Sequence, residues 1–151
     1  MPVFLVRHAH AGNRSTWPGE DGDRPLSDRG LGQARDLVDL LGDRTIRRVS
    51  SSPARRCVQT VEPLAAHLKV AVDLDKRLAE GASVRGALDL ILAGDDQVLC
   101  AHGDLIPDVM VRLVDRGLRA ETPTRCQKGS VWEITVEGGR PIKARYRPPR
   151  T

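Results

Sequence analysis

Apolar and polar positions along the chain follow two alternating rhythms. Val3-Phe4-Leu5-Val6 is a short continuous apolar run rich in β-formers, which predicts a strand buried on both faces, and it stops at Arg7-His8. Residues 12–26 show no period and are rich in Gly, Pro, Asp, Arg and Asn, which reads as a loop. Ser27 is placed to cap a helix whose Leu31, Ala34, Val38 and Leu41 recur at helical spacing until Gly42. Arg47-Arg48-Val49-Ser50 predicts a second strand ending in Ser51-Ser52-Pro53. A second helix carries Val58, Val61, Leu64, Ala65 and Leu68 on one face, with Pro63 expected to kink or split it. Val70-Ala71-Val72-Asp73-Leu74 predicts a third strand, and Val84, Ala87, Leu88, Ile91 and Leu92 an amphipathic helix closed by Gly94. Gln97-Val98-Leu99-Cys100-Ala101 predicts a fourth strand, with His102-Gly103 at its carboxyl end. A further helix is expected over 105–118, with Pro107 tolerated in its first turn. Val131–Val136 and Ile142–Tyr146, joined through Gly138-Gly139, read as a hairpin. The expected class is α/β: a three-layer α/β/α arrangement, with a mostly parallel central sheet and a C-terminal antiparallel hairpin, in one domain over residues 1–151.

Composition narrows the chemistry little. The chain is 40% hydrophobic and 29% charged, as in ordinary globular proteins, and its formal charge of +4 comes from arginine rather than from its few lysines, Lys69, Lys76, Lys128 and Lys143. The arginines are interspersed with aspartates and aromatics make up only 3%, so stacking surfaces for nucleic acid are scarce and no nucleic-acid partner is expected. Cys57, Cys100 and Cys126 are odd in number and widely spaced, which argues against a disulfide framework or a structural zinc site and for reduced thiols in the cytoplasm. No apolar run approaches the roughly 20 residues of a membrane span, and the first apolar run is too short for a signal peptide.

Three predicted strand ends carry related side chains: Arg7-His8, the run Ser52-Pro53-Ala54-Arg55-Arg56-Cys57-Val58-Gln59-Thr60, and His102-Gly103. Alone, an Arg-His pair also fits an ordinary first strand that runs into a solvated loop. In a parallel sheet, however, all three ends lie on one edge, where ligands of open α/β sheets bind. Cations and imidazoles converging there suit a phosphoryl dianion. A metal reading of His8-x-His10 with His67 and His102 lacks supporting carboxylates at strand ends, so no metal and no cofactor is expected. A non-catalytic phosphate-binding module is a third reading.

Arg7-His8-Ala9, Ser52-Pro53-x-x-Arg56-x-x-Gln59-Thr60 and Ala101-His102-Gly103 resemble, in order and spacing, the signature of the histidine phosphatase (phosphoglycerate mutase-like) superfamily. Arg24-Pro25-Leu26-Ser27-x-x-Gly30 and Lys128-Gly129-Ser130-Val131-Trp132 are similar to the small SixA-type phosphohistidine phosphatases and to the histidine-phosphatase part of mycobacterial MutT-type hydrolases. The resemblance implies a metal-independent phosphatase in which His8 is the nucleophile and forms a phosphohistidine. Arg7, Arg56 and His102 would then bind the transferring group, with Glu80 as candidate proton donor. Arg55, about 100° around the helix from Arg56, reads as a solvated surface residue.

The chain departs from larger members of that superfamily. His10 stands where they carry the Glu of an Arg-His-Gly-Glu run, and Arg14 where they carry an Asn, with Asn13 one place earlier; Asn13 and Arg14 are both candidates to reach a phosphate oxygen. The stretch from Leu74 to Val84 is short, which predicts a shallow, open pocket suited to bulky or protein-borne phosphates. A phosphohistidine carrier protein is therefore the first expectation for the substrate, and a nucleotide or small phosphomonoester the alternative. Trp17 and Trp132 suit the pocket rim and the core equally well, and oligomeric state is not readable.

Overall fold

The computed structural model describes residues 1–150. In chain order it contains β1 (Pro2–Arg7), α1 (Asp28–Leu41), β2 (Arg48–Ser51), α2 (Arg55–Leu68), β3 (Val72–Leu74), α3 (Val84–Leu92), β4 (Gln97–Ala101), α4 (Ile106–Asp115), β5 (Val131–Glu137) and β6 (Arg140–Arg147). Single 3-10 turns at Arg14–Thr16, Asp21–Asp23 and Lys76–Leu78 punctuate the loops. One six-stranded sheet runs in the order β3-β2-β4-β1-β5-β6. β1, β2, β3 and β4 are parallel, and β5 and β6 add an antiparallel hairpin beside β1.

Handedness explains the layers. The steps β1 to β2 and β2 to β3 move toward one edge, whereas β3 to β4 moves back. Right-handed crossovers therefore put α1 and α2 on one face and α3 on the other, where α4 joins it. The first apolar run serves both faces because side chains alternate along a strand. Phe4 and Val6 pack with Leu37 and Leu41 of α1 and Val61 and Leu64 of α2. Val3 and Leu5 pack with Ile91 of α3 and with Ile106, Val109 and Met110 of α4.

The departures from expectation are local. Pro63 lies inside an unbroken α2 and does not split it. β3 starts at Val72 rather than at residue 70, and as the edge strand it leaves Leu74 exposed. α4 ends at Asp115, before the apolar pattern does, and Leu118 reaches the core from the following turn. Trp132 is in the core, donating from Nε1 to Arg125 O, and Trp17 donates from Nε1 to Glu20 O within its own loop. Among the described residues, no helix is long and apolar enough to cross a membrane.

Candidate active site

Parallel register carries two histidines to one place. Arg7 pairs with Ala101 across β1 and β4, and His8 N donates to Ala101 O at 3.1 Å. The rings of His8 and His102, each first beyond its strand, lie 5.4 Å apart in an edge-on arrangement. His8 is 5% exposed, and its Nδ1 lies 2.9 Å from Ala9 O. A carbonyl only accepts, so Nδ1 carries the proton and Nε2 keeps its lone pair. Burial first, opposed by the Ala9 hydrogen bond but joined by the Arg56, His102 and Arg7 charges, lowers the ring from 6.5 to about 3. The imidazole is thus neutral at pH 7.

Arg7 donates to Cys126 O at 2.6 Å, while its buried Nε has no hydrogen-bond partner. Gly103 makes room for it: a Cβ there would stand 2.6 Å from the guanidinium carbon of Arg7. Arg56, at the start of α2, is 1% exposed. It donates to Asp21 O at 2.9 Å and to Glu80 Oε2 at 2.8 Å, and its Nη2 lies 3.4 Å from His102 Nδ1. The neighbouring Arg55 is exposed, as its position on the helix predicts. Ser52 Oγ lies 2.8 Å from His102 Nε2. A hydroxyl can donate or accept, so Ser52 supports either ring tautomer, including one that turns Nδ1–H toward a phosphate oxygen. Thr60 shapes the corner by accepting from Ala9 N at 2.9 Å and donating to Arg56 O at 2.7 Å.

Two mouth loops are tied across this centre by ion pairs. Glu80 accepts from Arg14 at 2.8 and 3.1 Å as well as from Arg56. Asp21 pairs with Arg14, Arg24 and Arg56 at 3.1–3.2 Å. Burial works to raise the Asp21 carboxyl, but the Arg24 hydrogen bond and the Arg56 and Arg14 charges outweigh it and hold it low. A cleft of about 630 Å³ lies on the His8 side of these ties, lined by Arg7, His10, Asn13, Arg14, Arg24 and Lys128. A second cavity of about 350 Å³ opens beside Arg56, Glu80 and His102. Asn13 reaches the cleft, but its Oδ1 already accepts from Ser15 N and Ser15 Oγ, which leaves only its amide NH₂ for a ligand. His67 sits at the far end of α2, 3.2 Å from Gly42 O, so the four histidines do not assemble. Among the described residues, no three His, Cys, Asp or Glu side chains are grouped to hold a metal.

A family model described as the Histidine phosphatase superfamily (branch 1) matches residues 3–86, more than half of the chain. The chain belongs to the histidine phosphatase superfamily. It is 33% identical over 155 aligned residues to the 8-oxo-(d)GTP phosphatase of Mycolicibacterium smegmatis, covering 97% of this chain and 48% of that protein. The chain thus spans about half the length of this curated relative. An uncharacterized Mycobacterium tuberculosis protein is 41% identical over 86 residues, 54% of this chain and 41% of its own. In fold, the chain is similar to the protein histidine phosphatase SixA complexed with tungstate, with a TM-score of 0.76, 24% identity and coverage of 98% and 95% of the two chains. A SixA structure from Agrobacterium tumefaciens gives 0.77 at 20% identity, with 98% of each chain covered.

The chain brings His8, Arg7, Arg56, His102 and Glu80 to one strand-end centre. Sequence reasoning missed Asp21, the acidic hub of the loop, and the part Arg14 and Arg24 play around it. The Arg24-Pro25-Leu26-Ser27-x-x-Gly30 run was the available signal for Arg24, which is 6% exposed and donates to Ala11 O at 2.6 Å. The Asp104 carboxylate, just beyond His102, accepts from Gly81 N at 2.8 Å and steadies the loop that carries Glu80.

Proposed function

We propose that the chain is a phosphatase acting through a covalent phosphohistidine on His8. The observation that carries this is the His8 ring itself: neutral, with Nδ1–H fixed on Ala9 O and Nε2 free, set among Arg7, Arg56 and His102. A phosphoryl dianion repels nucleophiles, and the two guanidinium groups offset that repulsion with charge-assisted hydrogen bonds. His8 Nε2 attacks phosphorus, and the leaving group departs with the electron pair of its bond to phosphorus. Water then attacks the phosphohistidine, returning the pair to Nε2 and releasing phosphate. The step is mainly positioning and charge compensation, all of it supplied by side chains.

Glu80 is the proton donor of this scheme for leaving groups that need one. Both its oxygens now accept guanidinium N–H groups, so it serves once the phosphoryl group has taken over Arg56. Asn13 offers its amide to a phosphate oxygen.

Two substrate classes fit the open cleft. Phosphohistidine on a carrier protein is supported by the short loop before α3 and by the SixA-like fold. A nucleotide is supported by the mycobacterial relative. The free thiols of Cys57, Cys100 and Cys126 suit a reducing compartment such as the cytoplasm. Rapid quench with ³²P-labelled donor tests the chemistry: acid-labile label is expected on His8 and absent from His8→Ala. Full turnover by His8→Ala on p-nitrophenyl phosphate removes His8 from the mechanism.

A further inference from the structure

The turn at 127–130 seats Lys128 against the phosphoryl centre. Gly129 N donates to both Arg7 O and His8 O at 3.1 Å, and Arg7 N donates to Ser130 O at 3.1 Å. The main chain beside Lys128 is therefore bonded directly to the two residues that open the site. Lys128 lines the same cleft as His8. With His10, it also lines a hollow of about 240 Å³ that continues past Arg29 and Gln33.

Charge in this cleft is unbalanced. Arg7, Arg14, Arg24 and Lys128 line it, and no carboxylate does. Arg14 and Arg24 have their counter-charges in Asp21 and Glu80. Among the described residues, the Lys128 ammonium has no acidic partner; the charges acting on it are those of Arg7, Arg24, Arg14 and Arg29, all of its own sign. A half-buried ammonium among like charges keeps its proton best with an anion beside it, and so attracts one. The phosphoryl group on His8 is met by Arg7, Arg56 and His102 and does not require Lys128.

We infer that Lys128 and the cleft beyond His8 form a second phosphate subsite, so that the preferred substrate carries its scissile phosphoryl group on another phosphate. The ligand class is a terminal phosphoric anhydride, as in a nucleoside diphosphate or inorganic pyrophosphate. This rests on phosphotransfer to His8 and, between the two substrate classes above, selects the second. Glu80 sets this class, like phosphohistidine, apart from alkyl phosphomonoesters. Its oxygens are engaged by Arg14 and Arg56, and a phosphate leaving group, unlike an alkoxide, departs without a proton. In the transfer, His8 Nε2 forms its bond to the terminal phosphorus as the bridging P–O bond breaks. The bridging electron pair leaves on the inner phosphate, where the Lys128 ammonium meets the new negative charge. Water then cleaves the N–P bond, giving orthophosphate and a proton to solvent.

The test compares kcat/KM on a nucleoside diphosphate and on p-nitrophenyl phosphate for wild type, Lys128→Ala and Lys128→Arg. Removing one charged donor should cost roughly 10- to 100-fold on the diphosphate. That loss should exceed the loss on p-nitrophenyl phosphate at least tenfold, with Lys128→Arg restoring most of it. Pyrophosphate should also inhibit the wild type more tightly than orthophosphate does, and Lys128→Ala should erase that preference. Equal losses on both substrates overturn the subsite, as does a higher specificity constant on a phosphohistidine protein than on the diphosphate. Either outcome leaves the His8 chemistry standing, whereas absence of acid-labile label on His8 from every donor overturns the chemistry itself.

Discussion

At His8, burial keeps the ring unprotonated to about pH 3, so the proposed nucleophile stays neutral throughout the range in which phosphate esters are dianions. An NMR titration should find no change in the His8 ring between pH 5 and 8; a midpoint near 6.5 would contradict the buried, neutral ring. Arg56 is the companion test. It is fully buried and reaches Asp21, Glu80 and His102 at once, so Arg56→Ala should lower turnover roughly 10²- to 10³-fold, the scale of one preorganised donor. A loss below tenfold would place Arg56 outside the reaction. The two arginines were separable because the family resemblance singles out Arg56 in the Ser52-Pro53-x-x-Arg56 run, and a helix turn of about 100° per residue then points Arg55 elsewhere. Asp21 was not legible in the same way. Its partners Arg14 and Arg56 lie on separate segments of the chain, and an aperiodic loop carries no signal of which side chains its carboxylates will meet.

Elements reach the site through close approaches that only glycine permits. Gly30 lies in α1, where alanine would ordinarily add about 1 kcal/mol of stability. Here a Cβ would fall 1.9 Å from the main-chain oxygen of His10, which cannot move freely because it also accepts from Ser27 N and Ser27 Oγ. Gly30→Ala should therefore destabilise by about 1–3 kcal/mol in chemical denaturation, reversing the usual sign. Gly103 differs, since the atoms its Cβ would meet belong to the movable guanidinium of Arg7. Gly103→Ala should lower kcat/KM at least tenfold while shifting the denaturation midpoint little; an equal fall in both would mean that the backbone yields rather than Arg7. Strand and helix periods made these elements visible in the sequence. Where they stop is decided by packing instead: α2 runs through Pro63, and α4 ends before its apolar pattern does.

Across the whole molecule, several titratable groups pull stability in one direction. His8 binds its proton near pH 6.5 when unfolded but only near pH 3 when folded, so between those values protonation favours the unfolded chain. Its contribution is complete above pH 6.5 and declines as pH falls toward 3. The carboxyls of Asp21, Asp75 and Glu133 are held low by arginine partners and add to the loss in acid. The melting temperature should fall steadily from pH 7 to pH 4, and His8→Ala should flatten the part between 6.5 and 4, which thermal scans in a pH series will measure. The sheet order was legible only in part. Alternation of strands and helices implies a parallel sheet, but the insertion of β4 between β1 and β2 depends on long-range pairing that no local pattern encodes.

That central placement of β1 beside β4 separates two design problems. The separation of the His8 and His102 imidazoles is set by ladder bonds rather than by the surrounding loops, with Arg7 opposite Ala101 and His8 N on Ala101 O. Grafting a different mouth onto this sheet in place of residues 15–20, with Arg14 and Glu80 kept, should therefore change which molecules are admitted without retuning the reaction at their phosphorus.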